Sequence, residues 1–269
     1  MADKVATKNV YIFRKGRSDG TIKQKELLGG KGAGLCEMAR IGVNIPPGMT
    51  ITTEVCKQFY REGKKLPAKV WNEVLDNIKE IEESYGAKFA DPENPLLFSV
   101  RSGAALSMPG MMNTVLNLGL NDTIVEGLGA KWGVRFAWDA YRRFLDMYGD
   151  VVLEIPHEQF EHELGAIKAE RGVSLDTQLD ATDLKRLVGK YKEVFTRNGF
   201  EVPTDPYEQL KNSISAVFQS WMVPRAVKYR EIHKIRGLAG TAVNVQSMVY
   251  GNLSDRSGTG VCFTRSPTN

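Results

Sequence analysis

Leu96-Leu-Phe-Ser-Val100 runs directly into Arg101-Ser-Gly-Ala-Ala-Leu-Ser-Met-Pro-Gly-Met-Met112, and the reading of this stretch decides the fold. The apolar run, bounded by Pro95 and Gly103, suits a strand buried on both faces. Arg101 then stands where the strand turns into a loop of small residues. From such a position a guanidinium reaches into a cleft and holds phosphate oxygens through paired hydrogen bonds. The plainer alternative is a structural arginine that caps carbonyls, and the residues leave both readings open.

Towards the N-terminus, Val10 to Phe13 reads as a short strand and Arg14 to Gly20 as a polar turn. In Leu28-Gly-Gly-Lys-Gly-Ala-Gly-Leu35, Gly32 is expected to open a helix with Leu35, Met38 and Ala39 on one face. Glycines allow close backbone approach to a phosphate, a helix N-terminus offers free amides, and Lys31 adds a point charge. A glycine turn with a surface lysine is the competing reading, and the GxxxxGK[ST] spacing of a Walker loop is absent. Thr52 or Thr53 caps the next helix, and Pro67 begins another in which Val70, Val74, Leu75, Ile78 and Ile81 recur at helical spacing.

The texture changes after Asn121. Phe136 to Met147, Glu158 to Ala169 and Thr182 to Phe195 are amphipathic and helical, with almost no strand signal between them. Pro206 to about Ile232 predicts a long helix kinked or divided at Pro224. Val243, Val245, Ser247 and Val249 then alternate with Asn244, Gln246 and Met248, and Val261 to Thr264 follows a glycine-containing loop. This pattern predicts a β-hairpin whose Ser257-Gly-Thr-Gly260 loop offers amides and hydroxyls to a triphosphate. A hairpin ending at Arg265 to Asn269 leaves strand edges unpaired, so the chain is expected to be a piece of a longer protein.

Bulk properties narrow the function. Hydrophobic residues make up 42% and charged residues 25%, enough for a proper core. The 36 Lys plus Arg against 32 Asp plus Glu, a net +4, are mixed along the chain, which argues against a nucleic-acid partner. No apolar run approaches the roughly 20 residues of a membrane span, and no signal or transit pattern opens the chain. Cys36, Cys56 and Cys262 form no metal or disulfide spacing, which suits a reducing, cytoplasmic setting, with a plastid or other organelle open if a leader was removed. His157, His162 and His233 are expected on polar helices, none beside another ligand type, so no metal cluster is assembled. Tyr141 with Phe144, and Trp132 with Phe136, read as core pairs.

Taken in order, LLGGKGA (27–33), VRSGAALSMPGMMNTVLNLGL (100–120), YRRFLDM (141–147), GTAVNVQSMV (240–249) and SGTGVCFTR (257–265) resemble the N-terminal domain of the pyruvate phosphate dikinase family along essentially the whole chain. Related phosphoenolpyruvate synthases share GGKG and the VRS strand end but not Met108 to Asp122. The resemblance implies an α+β fold. Its parts are a first ATP-grasp lobe (1–120, continued by a long helix over 205–240), an all-helical insert (121–204), and a second lobe only begun (241–269).

The implied reaction converts ATP, inorganic phosphate and pyruvate into AMP, pyrophosphate and phosphoenolpyruvate, with Mg2+ and a monovalent cation. The implied partners are a swivelling phosphohistidine domain and a pyruvate-binding barrel of the same parent chain, itself a homodimer. Carried over by motif, Lys31 and Arg101 contact the ATP phosphates and serve catalysis. Gln246, Met248 and Val249 lie beside the adenine, and Ser257, Gly258, Thr259 and Gly260 cover the phosphates. The family's magnesium ligands are expected beyond Asn269, which makes this stretch alone inactive. Trp221-Met-Val-Pro-Arg225 and Ser266 depart from the usual family pattern. A synthase-like dikinase or a non-catalytic nucleotide-binding module stand as alternatives.

Overall fold

The computed structural model describes residues 8–254, 256–263 and 265–266. In chain order they form β1 (Val10–Arg14), β2 (Arg17–Ser18), α1 (Lys25–Arg40), β3 (Gly48–Ile51), α2 (Thr53–Arg61), α3 (Ala68–Tyr85), β4 (Lys88–Phe89), β5 (Pro95–Leu96), β6 (Phe98–Gly103) and β7 (Thr114–Leu118). There follow α4 (Asp122–Trp132), α5 (Val134–Leu153), α6 (His157–Arg171), α7 (Ala181–Arg197), α8 (Pro206–Gln219), α9 (Pro224–Ile232) and β8 (Ala242–Ser247). The α+β expectation holds. Local signals act as read: Thr52 caps α2 by accepting from the Val55 amide, Pro67 precedes α3, and Asn121 caps α4, a helix the sequence reading did not separate. Pro224 divides the predicted long helix by standing in the first turn of α9, where its missing N–H costs nothing.

One six-stranded sheet, ordered β2-β1-β3-β8-β6-β7, carries the architecture, and every pairing in it is antiparallel. Residues paired across strands share a face. Ile12, Met49, Val245, Val100 and Val115 therefore form one row, and the neighbouring row holds Val10, Ile51 and Val243. All are buried in the main core, with Val70, Val74, Ile78 and Ile81 of α3 and Leu210, Ile214 and Val217 of α8 packed against them. The opposite face reads Tyr11, Thr50, Asn244, Arg101, Thr114 in one row and Phe13, Gly48, Gln246, Ser99 in the next. Helix α1 lies across part of this face, and towards its β1–β3 end Tyr11, Phe13, Leu28, Ala33, Cys36 and Ala39 make a small separate core. The remainder of that face is polar.

The hairpin expectation fails here. The strand read as its first arm lies in the centre of this sheet, with β3 on one edge and β6 on the other. Both of its hydrogen-bonding edges are occupied, so no returning strand can pair with it as a hairpin. Val261, Cys262 and Phe263 accordingly lie in no strand, with Val261 82% exposed; Thr264 lies outside the described residues.

Candidate functional site

The open half of the polar face is shaped by α1. Gly29 interrupts the helix with φ 69° and ψ 167°. A Cβ there would sit 1.8 Å from the Gly103 carbonyl oxygen, and one on Gly32 would meet Thr50 at 2.7 Å. The helix therefore resumes just before Lys31, slightly earlier than the predicted start at Gly32. These glycines let α1 lie against β6, β3 and β8; the expected role, close approach to a phosphate, is not what their contacts require. The Gly30 amide is also engaged, donating to the Ala104 carbonyl at 2.9 Å.

This close packing carries Lys31 to the tip of β6. Its Nζ donates to the Ser102 carbonyl at 3.2 Å, next in the chain to Arg101, whose side chain is exposed on the same face. Loss of water around the ammonium, then the Arg101 charge, lower the Lys31 pKa from its ordinary value. Beneath them lies Asn244, 2% exposed. Its Oδ1 accepts from Thr50 Oγ1 at 2.8 Å and its Nδ2 has no partner. A Cβ on Gly103 would lie 2.6 Å from that nitrogen. The corner is thus rich in donors and short of acceptors, the electrostatic condition of an anion site. Asn244 was not singled out from sequence; an amide between Val243 and Val245 in a buried strand was the available signal.

A cavity of about 490 Å³ opens on this corner, lined by Gly30, Lys31, Ser102, Gly103, Met108 and Thr114 among others. Arg225, in the segment that departs from the family pattern, donates to the Met111 carbonyl at 3.3 Å and to Asn113, and so ties down the far end of the loop that walls it. Further along β7 a second cleft of about 340 Å³ is lined by Leu116, Arg143, Met248, Val249 and Thr259. Phe136, read from sequence as core, also walls it and meets Tyr250 edge-on with ring centroids 4.8 Å apart.

The structure thus brings Lys31 and Arg101 to one corner and gathers Met248, Val249 and Thr259 at a neighbouring one. Gln246 is held beneath, donating to the Pro46 carbonyl at 3.0 Å. Both backbone groups of Met248 are engaged, the amide with Leu97 and the carbonyl with the Tyr85 hydroxyl, whereas Val249 is 66% exposed. Ser257, Gly258 and Gly260 line neither cleft. Among the described residues no carboxylate lines either cleft, so the described walls offer none to a magnesium ion, which takes oxygen ligands. One histidine expectation is corrected: His157 does lie beside other ligand types, Asp146 and Glu161.

The family model described as "Pyruvate phosphate dikinase, AMP/ATP-binding domain" matches residues 25–74 and 62–269. Pyruvate, phosphate dikinase 1, chloroplastic, of Arabidopsis thaliana is 59% identical over 268 residues, 99% of this chain and 28% of that one. Pyruvate, phosphate dikinase, chloroplastic, of Flaveria pringlei is 57% identical over 97% of this chain and 27% of its own length. Pyruvate, phosphate dikinase 2 of Zea mays is 57% identical over 97% of this chain and 30% of its own. The chain spans less than a third of each of these relatives. With a family model matched over nearly its whole length and an open, donor-rich sheet face where that family's motifs meet, the chain belongs to the pyruvate phosphate dikinase AMP/ATP-binding domain family.

Proposed function

We propose that this chain supplies the ATP-binding part of a pyruvate phosphate dikinase, which turns ATP, phosphate and pyruvate into AMP, pyrophosphate and phosphoenolpyruvate. The observation that carries the reading is the meeting of Lys31 and Arg101, far apart in sequence, at one acceptor-poor corner beside a cavity. In this reading Lys31 and Arg101 hold the phosphate tail and neutralise charge as it develops, since phosphoryl transfer is accelerated chiefly by positioning and electrostatics. An arriving phosphate oxygen draws the Lys31 ammonium from the Ser102 carbonyl and restores its pKa. Met248 and Val249 wall the base end, with Gln246 bracing the strand below. Ser257 to Gly260 close over the phosphates.

The acceptor histidine and the pyruvate site belong, in this proposal, to further domains of a homodimeric parent, as do the ligands for Mg2+ and the monovalent cation. Its workplace is the cytoplasm or a plastid-like compartment. Calorimetry with Mg-ATP tests the assignment: the isolated chain binds weakly and forms no AMP, and a longer protein requires inorganic phosphate and releases pyrophosphate. Submicromolar affinity or AMP formation by the isolated chain contradicts the division of labour. Release of phosphate with water as co-substrate replaces the dikinase by a synthase.

A further inference from the structure

Where α5 meets α6, three side chains with metal-ligating chemistry gather away from both clefts. Helix α6 begins at His157, directly after Pro156, and Glu161 follows one turn later on the same face. Asp146 reaches them from α5. His157 Nδ1 lies 2.8 Å from an Asp146 carboxylate oxygen, and His157 Nε2 lies 3.6 Å from Glu161. One ligand atom from each residue falls within 4.8 Å of the others. The Asp146 side chain is only 14% exposed, while His157 and Glu161 are about half exposed, so the group is anchored on the protein side and open on the other.

An ion-paired histidine accounts for part of this arrangement. Burial works against the His157 cation, yet Asp146, Glu161 and Asp150 outweigh it and raise the imidazole pKa. It does not account for Tyr191 on α7. That side chain is fully buried; its hydroxyl has the Arg142 guanidinium beside it, feels the charges of Asp146 and Glu161, and has no acceptor for its own proton. The neighbouring Arg142 guanidinium is a donor only, so the phenol proton has no acceptor. A buried donor without an acceptor carries a free-energy cost that a reoriented carboxylate would remove.

We propose that Asp146, His157 and Glu161 form a binding site for a zinc-class divalent cation, with the Tyr191 hydroxyl as the outer donor that orients Asp146. One imidazole and two carboxylates make a mixed nitrogen and oxygen set, which suits zinc or cobalt rather than the all-oxygen preference of magnesium and calcium. The cation takes the place of the proton shared by His157 and Asp146, and Glu161 turns from Nε2 to complete the third ligand. Water fills the open side. Such an ion joins α5 to α6 across the Leu153 to Pro156 turn and binds only the folded chain, so it stabilises by mass action.

The test uses the chain with Cys262→Ser, which removes the exposed thiol, titrated with Zn2+ by calorimetry and with Co2+ by absorption spectroscopy. The expected result is saturable one-to-one binding and a Tm raised by Zn2+ but unchanged by Mg2+. His157→Gln and Glu161→Gln each weaken binding about tenfold or more, and Tyr191→Phe weakens it less, in the manner of an outer-shell partner. Absence of saturable binding overturns the site. So does binding indifferent to His157→Gln, which assigns the ion to His162, His233 or scattered carboxylates.

Discussion

The two faces of the central sheet are built from the same strands and have opposite characters. Along β8, Val243 and Val245 enter a core shared with α3 and α8, while Asn244 and Gln246, one residue on, lie on the face that α1 covers only in part. The apolar face gains stability from removing hydrocarbon from water and packing it densely. The polar face holds a cation crowded by another cation and a buried donor without a partner, features that cost stability and create a demand for an anion. The proposed site lies on the face that stability leaves unfinished.

Mutations that separate the faces should separate the two properties. The largest effect on folding is expected from Phe98→Ala, which empties a fully buried site on the apolar face. It should cost about 3–5 kcal/mol in denaturant unfolding. If stability is unchanged, the apolar face is not the seat of folding energy. Next, Lys31→Ala or Arg101→Ala in a full-length enzyme should lower kcat of the ATP half-reaction by about 100-fold or more with little change in Tm. Wild-type turnover in either variant removes that residue from the site.

Gly29→Ala tests the junction of the faces. The new methyl strikes the Gly103 carbonyl at a backbone angle disfavoured for alanine, so stability should fall by about 1–3 kcal/mol and ATP binding should weaken because Lys31 is displaced. Unaltered ATP binding would separate α1 packing from the site. The smallest effect is in the pH dependence of Lys31→Met. The folded pKa of Lys31 lies below the 10.5 of a free lysine, so the wild type carries a penalty while the ammonium is charged. That penalty is present below the folded pKa and disappears as pH rises towards 10.5. The variant should therefore be no less stable at neutral pH, with any advantage closing in alkali. A variant less stable at neutral pH makes Lys31 a structural residue.

Residues that act through near neighbours were legible in the sequence: the strand at Val10, the caps at Thr52 and Pro67, the helical periodicities beyond Asn121, and Arg101 at a strand end. Lys31 was singled out, but the packing that the glycines around it serve was not, because those glycines answer to strands that approach α1 from elsewhere in the chain. Arg225 and Asn244 were missed on the same ground. Each matters through a partner more than a hundred residues away, Arg225 through Met111 and Asn244 through Thr50.

By itself the sequence determined the strands at Val10, Leu96 and Val243, the helices it separated, which side of each is apolar, and which family's motifs the chain carries. Capping, side-chain periodicity and turn chemistry act over a few residues and need no knowledge of the fold. Only the tertiary structure decided that β8 enters between β3 and β6. An alternating strand specifies its two faces but not its two neighbours, and neighbours are chosen by long-range pairing once the whole sheet is assembled. That choice occupied both edges of β8, denied it a hairpin, and set Asn244 beneath Lys31 and Gly103.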